Sequence, residues 1–239
     1  MDDKNRFLDF PIALLRGFLS NPDESLLNIY CYSVFKLVYS EESVFDTIGK
    51  FSSHYGSRPN APLITKIETD GGQLYNSFVG SKHVWTGIHI GTWSRYYEKE
   101  RTEFDLVCLL AFFGLKSICQ KSRYKKNVSN DYLMSRMSGF DNKVPIENID
   151  PVVLEYMKNK SKKKRHVFNA LEESFKVIRI EKSRGITYSF SMTQKELELE
   201  VMKGKFKKSD EFRMAEKKKG KELAKMEFEK WKASLMKSM

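Results

Sequence analysis

The sequence predicts an α+β fold that is mainly helical with a small β component. Apolar residues recur at helical spacing along most of the chain, often with capping residues ahead of them. Near residues 177–192 a two-residue alternation takes over beside a short glycine turn, which is the pattern of a β-hairpin. Charge divides the chain further. Residues 1–150 hold 18 Lys and Arg against 18 Asp and Glu, whereas residues 151–239 hold 24 against 13, so the whole net charge of +11 lies in the second stretch. The expected organisation is a helical N-terminal domain over 1–95, a second domain over 96–192 and a basic helical tail over 193–239.

Pro11 is expected to start a first helix carrying Ile12, Leu14, Leu15, Phe18 and Leu19. Asn21-Pro22 supplies an N-cap and a first-turn proline for a second, with Leu26, Leu27, Ile29, Tyr30, Val34, Phe35 and Val38. A third is expected from about Glu41 to Tyr55. Residues 56–91 hold Pro59, Pro62, the Gly71-Gly72 pair, Gly80 and Gly87, and read as irregular, with one strand at Val84–Ile90. A long helix then starts at Thr92 or Thr102 and ends near Lys121. Ser129 caps a helix that Gly139 stops, and Asp150-Pro151 opens another. Residues 151–175 are one helix or two, with the break near Asn159–Ser161. Val177–Lys182 pairs with the strand in which Ile186, Tyr188, Phe190 and Met192 alternate with Thr187, Ser189 and Ser191. The first set is expected to bury. Ser183-Arg184-Gly185 makes the turn, with a glycine available for positive φ. Thr193 and Glu196 have capping-box spacing for a helix that opens the tail.

With 41% hydrophobic and 13% aromatic residues among 239, the chain can bury a core. Cys31, Cys108 and Cys119 lie in apolar stretches without ligand spacing, as buried free thiols do in a reducing compartment. The acidic start Met1-Asp2-Asp3 is unlike a secretory signal. No apolar run reaches the ~18 residues of a membrane span. A cytoplasmic location with no membrane span is therefore expected.

The segment Ser161–Met192 carries the clearest chemistry. On a helix over Ser161–Phe175, the residues Val167, Phe168, Leu171, Ser174 and Phe175 share the face expected to bury. Lys162, Arg165, His166 and Asn169 share the other, near the N-terminal end. That end of a recognition helix meets base edges in the major groove. Arg165 suits guanine O6 and N7, and Asn169 suits adenine N6 and N7. Lys163 and Lys164 suit phosphates, where neutralisation releases counterions. Lys182 and Arg184 stand at the hairpin tip, where a contact to the backbone or the minor groove is expected. The expected partner is double-stranded DNA, with self-association through the N-terminal helices left open.

On these residues the chain resembles the winged-helix superfamily. The helices Asp105–Lys121, Ser129–Ser138 and Lys162–Phe175 and the wing Val177–Met192 carry the likeness. It is nearest to the modules of replication initiators and replisome organisers of plasmids and phages. The resemblance implies a non-enzymatic DNA-binding protein acting in replication initiation or transcriptional control. About 20 residues, Phe140–Lys160, replace the short turn of the typical fold. Either a helix is inserted there, or Asp150–Lys160 is itself the second helix.

Two basic clusters follow in the tail, Lys203, Lys205, Lys207 and Lys208, then Lys217, Lys218, Lys219 and Lys221, interleaved with Phe206, Phe212, Phe228 and Trp231. They leave a second function open, an interaction protein whose tail docks a protein or an acidic membrane surface. RNA binding is a third reading. For an enzyme the sequence offers little: no phosphate-binding glycine loop, no nucleophile signature, and His83 and His89 without companion ligands. Tyr96, three residues before Lys99, is read as packing, and the carboxylates Glu98, Glu100, Glu103 and Asp105 as a solvated face. No catalytic residue, metal or cofactor is expected.

Overall fold

In the computed structural model, the described residues are 7–39, 61–98, 100–120, 122–158, 161–182 and 185–203, with 214, 217–220, 222–223 and 225–226 farther on. The expected helix at Glu41–Tyr55 lies outside them, as does most of the tail's basic clusters. The chain divides into two compact units, Met1–Ser191 and Met192–Met239. Among the described residues the fold is α+β, mostly helical with two small antiparallel sheets. No helix among the described residues is long and apolar enough to cross a membrane.

Strand β1 (Phe7–Pro11) pairs antiparallel with β2 (Trp85–His89), Phe7 opposite His89 and Pro11 opposite Trp85. Leu8 and Phe10 are buried while Phe7 and Asp9 are exposed, the two-residue period of a half-buried strand. Pro11 therefore ends a strand instead of starting a helix. Its φ of −68° and ψ of 137° are extended, and only a short 3-10 turn, Ile12–Leu15, follows. The Ile12 N–H donates to the Val84 carbonyl at 2.8 Å, which ties that turn to the strand rather than to a helix.

Helix α1 (Pro22–Tyr39) starts where expected. Asn21 accepts from the Glu24 N–H at 3.4 Å, and its amide donates to the Glu24 carboxylate at 2.5 Å. The stretch read as irregular is in large part helical: α2 (Ala61–Lys66), a π-helical turn (Ile67–Gly71) and α3 (Gly72–Phe78) run on from one another, and the last two pack against α1. The Gly71-Gly72 pair explains the difference. A Cβ on Gly71 would lie 2.6 Å from the Cys31 carbonyl oxygen, so glycine is there to let two helices touch, not to break one.

Helix α4 (Ile90–Glu98) follows β2, and α5 (Glu103–Cys119) starts at the later of the two expected points. The Thr102 hydroxyl accepts from the Asp105 N–H at 3.2 Å, and the Asp105 carboxylate accepts from the Thr102 N–H at 3.0 Å. Asp105 is thus a cap. Tyr96 packs, stacked on Phe175 with ring centroids 6.1 Å apart.

Strand β3 (Tyr124–Val128) precedes α6 (Asn130–Met137), which Ser129 caps by accepting from the Tyr132 N–H at 3.3 Å. Asp150 caps α7 (Pro151–Met157), accepting from Val152 N–H at 2.8 Å. Both segments left open as the second helix are helical, and α7 packs between α6 and α8 (Lys162–Phe175). Residues 151–175 are two helices.

Strands β4 (Ile178–Lys182) and β5 (Gly185–Ser189) form the hairpin, with Lys182 opposite Gly185, and β3 pairs along the other edge of β5. The alternation on β5 is only half right. Tyr188 is buried as expected, but so are Thr187 and Ser189. As the central strand of three, β5 has a paired neighbour on each edge, and the Ser189 hydroxyl donates to the Arg123 carbonyl. In the second unit, a helix over residues 194–203 opens on the expected box. The Glu196 carboxylate accepts from the Thr193 N–H at 2.7 Å.

Two outcomes follow. Gly185 has φ +134°, and a Cβ there would sit 2.8 Å from the Val128 carbonyl oxygen. Gly185→Ala is expected to cost about 1–3 kcal/mol in urea denaturation. Burial pushes the Cys31 thiol up to about 11 and that of Cys108 up to about 12, and raises the Tyr188 phenol as well. Above about pH 9 the folded chain then holds more protons than the unfolded one, so stability falls as pH rises from there. A urea midpoint that stays level from pH 8 to roughly pH 11 would contradict this.

Candidate nucleic-acid interface

Ser161 sets the start of α8. Its backbone is extended, and its hydroxyl accepts from the Lys163 N–H at 3.1 Å. The helix then buries Val167, Phe168 and Leu171, one stripe at i, i+1 and i+4. Phe175 is half-buried and stacks on Phe112 of α5 at 4.4 Å between centroids. Ser174, expected to bury with them, is exposed, because the contact stripe has rotated past it by the last turn. Lys176 ends the helix in the left-handed conformation, with φ 55°. The chain reverses there, and β4 comes back beside the helix.

Five of the six helix residues singled out in the sequence, Lys162, Lys163, Arg165, His166 and Asn169, are exposed, while Lys164 is half-buried. They are not equivalent. Lys163 is committed within the fold. Its ammonium pairs with Glu155 of α7 and lies 4.6 Å from the Tyr156 ring centroid, and the Glu155 hydrogen bond raises its pKa. Asn169 is engaged too: its carbonyl oxygen accepts from Arg179 at 3.3 Å. The side chains of Lys162, Arg165 and His166 have no hydrogen-bonding or ion-pair partner among the described residues. Of Lys182 the backbone is described, closing β4 opposite Gly185. Arg184 lies outside the described residues.

Arg179 of β4 was not among the expected site residues. It is mostly buried, at 14% side-chain exposure, and it joins the hairpin to the helix. It pairs with Glu172, donates to Glu181 at 2.7 Å and to Asn169, and its guanidinium lies 4.9 Å from the Phe168 ring centroid. The signal was present in the sequence. In Ile178-Arg179-Ile180-Glu181, positions 179 and 181 share one face of the strand, and a preceding amphipathic helix needs a face to meet.

Between the start of α8 and β4 lies a groove of about 400 Å³ lined by Ser161, Lys162, Lys164, Arg165, Phe168, Arg179 and Glu181. Four cations and one carboxylate meet there. Burial in this groove lowers the pKa of Lys164, against the opposing pull of Glu181 and with a further lowering from Arg179. Such a surface attracts anions and can donate hydrogen bonds to them. No family model matches the chain, and comparisons with curated proteins and with solved structures find no match either.

The two pairs differ in what they hold together. Lys163→Ala breaks an exposed pair and is expected to leave stability nearly unchanged. Arg179→Ala removes several hydrogen bonds and the cover of Phe168, and is expected to cost about 2 kcal/mol or more. Urea denaturation of both variants checks the order, and equal losses would show that Arg179 does not join the hairpin to the helix.

Proposed function

We propose that this protein binds double-stranded DNA, with α8 in the major groove and the β4–β5 hairpin on the adjoining backbone. The reading places it among replication initiators or transcriptional regulators of plasmids or phages, as a winged-helix protein without enzymatic activity. The observation that carries it is the face of α8: Lys162, Arg165 and His166 stand exposed and without a polar partner among the described residues at the capped end, over a buried Val167–Phe168–Leu171 stripe. Donors there reach base edges, and the following hairpin is fixed against the helix by Arg179. Arg165 suits a guanine edge. Asn169, held by its carbonyl oxygen, keeps its NH₂ group for a purine N7.

The second reading assigns binding to the tail. Charge favours the first. Residues 151–191 hold 10 Lys and Arg against 4 Asp and Glu, while residues 192–239 hold 14 against 9. The denser excess is on the helix-and-hairpin segment. Phosphate contacts from it imply strong salt dependence of binding.

The expected outcome is that the full chain binds a mixed-sequence duplex with an affinity that falls steeply between roughly 50 and 200 mM salt. Lys162→Ala with Arg165→Ala should weaken it at least about tenfold, and Arg165→Ala alone should relax preference at one base pair by about 1–3 kcal/mol. A flat salt response, or a double variant that binds like the original, contradicts the reading. Removal of residues 193–239 separates the two functions: retained affinity supports α8, and complete loss moves the activity to the tail.

A further inference from the structure

The groove between α8 and β4 shares Lys162 and Arg165 with the exposed helix face and adds half-buried Lys164, and it lies between the two elements assigned to DNA. Lys162 and Arg165 line it from the first turn of α8, Lys164 lines it half-buried, and Phe168 contributes an apolar wall. On the other side stand Arg179 and Glu181. Cations outnumber carboxylates in the groove lining, four to one. Arg179 is matched by Glu172 and Glu181, whereas Lys162 and Arg165 have no ion-pair partner among the described residues. The Lys164 ammonium lies 6.0 Å from the Phe168 ring centroid, over that wall. A cation kept partly out of water beside two unmatched ones stabilises an anion that replaces the lost hydration.

Geometry indicates which anion. If α8 enters the major groove and the hairpin meets the adjoining backbone, the phosphate ridge bordering that groove must pass between them. The groove is where that ridge would run. We propose that it seats one backbone phosphodiester of the bound duplex, held by Lys164 with Lys162 at its mouth, and so fixes the register of α8 on the DNA. This rests on the DNA-binding reading above and goes further by naming a phosphate seat and its residues. Lys164 lines the groove, Lys163 does not and pairs with Glu155 on α7, and Glu181 opposes binding.

The test uses the full chain, a mixed-sequence duplex and a salt series. Lys164→Met keeps the aliphatic stem against Phe168 and removes the charge. It should reduce the slope of log affinity against log salt by about 0.9, and lower affinity roughly eightfold near 0.1 M salt, whatever the duplex sequence. Lys164→Arg should restore both. Glu181→Gln, at an exposed carboxylate, should tighten binding severalfold. If the original chain binds duplex and Lys164→Met leaves the slope unchanged, the phosphate seat is wrong and the DNA-binding reading stands. If the original chain binds no duplex, both fall. A loss confined to one duplex sequence would make Lys164 a base reader and overturn the seat. Inorganic phosphate is the second probe. Weak binding, above about 1 mM, fits a seat for a diester monoanion within a larger contact. Micromolar binding lost in Lys164→Met would mark a pocket for free phosphate instead and overturn the assignment.

Discussion

Helix α5 carries apolar side chains around its whole circumference, from Leu106 to Cys119, and a helix of that kind is stable only when enclosed. The rest of the first unit does the enclosing. Phe10 of β1 meets Phe113 edge-on at 5.0 Å, and Thr86 of β2 donates to the Phe113 carbonyl at 3.0 Å. From the other side, Tyr188 of β5 donates to the Leu115 carbonyl at 2.7 Å, and Phe175 of α8 stacks on Phe112. Two sheets distant in sequence are therefore fixed against one helix. The core runs without interruption from Leu8 to Tyr188.

That enclosure positions α8. Its inner stripe and Phe175 are held by the core, so its outer face is determined by subtraction. The hairpin is fixed twice, by pairing of β5 with β3 and by the Arg179 contacts to Phe168, Asn169 and Glu172. The unmatched cations at the junction of α8 and the hairpin give the unit its electrostatic sign.

The pairings inside the unit sort a run of similar charges into different roles. Lys162, Lys163, Lys164 and Arg165 are consecutive, yet Lys163 is tied to α7 while the other three line the groove, Lys164 half-buried and Lys162 and Arg165 exposed. Their difference arises from neighbours on α7 and β4, since α8 itself only rotates each by about 100° from the last.

The sequence by itself determined the local devices. Caps at Asn21, Thr102, Ser129, Asp150 and Ser161 are read from side chains that bond to backbone two or three residues on, and such bonds need no tertiary partner. The hairpin was legible from alternation and Gly185, and the outward set on α8 from helical period. Tertiary structure decided what depends on residues far away. Pro11 ends a strand because β2, more than 70 positions later, supplies its partner. Gly71 and Gly72 stay helical because α1 approaches them, and Thr187 and Ser189 are buried because β3 covers the far edge of β5. Arg179 and Asn169 find each other only once the chain reverses at Lys176. Periodicity records which face a segment hides, and it carries no record of which segment does the hiding.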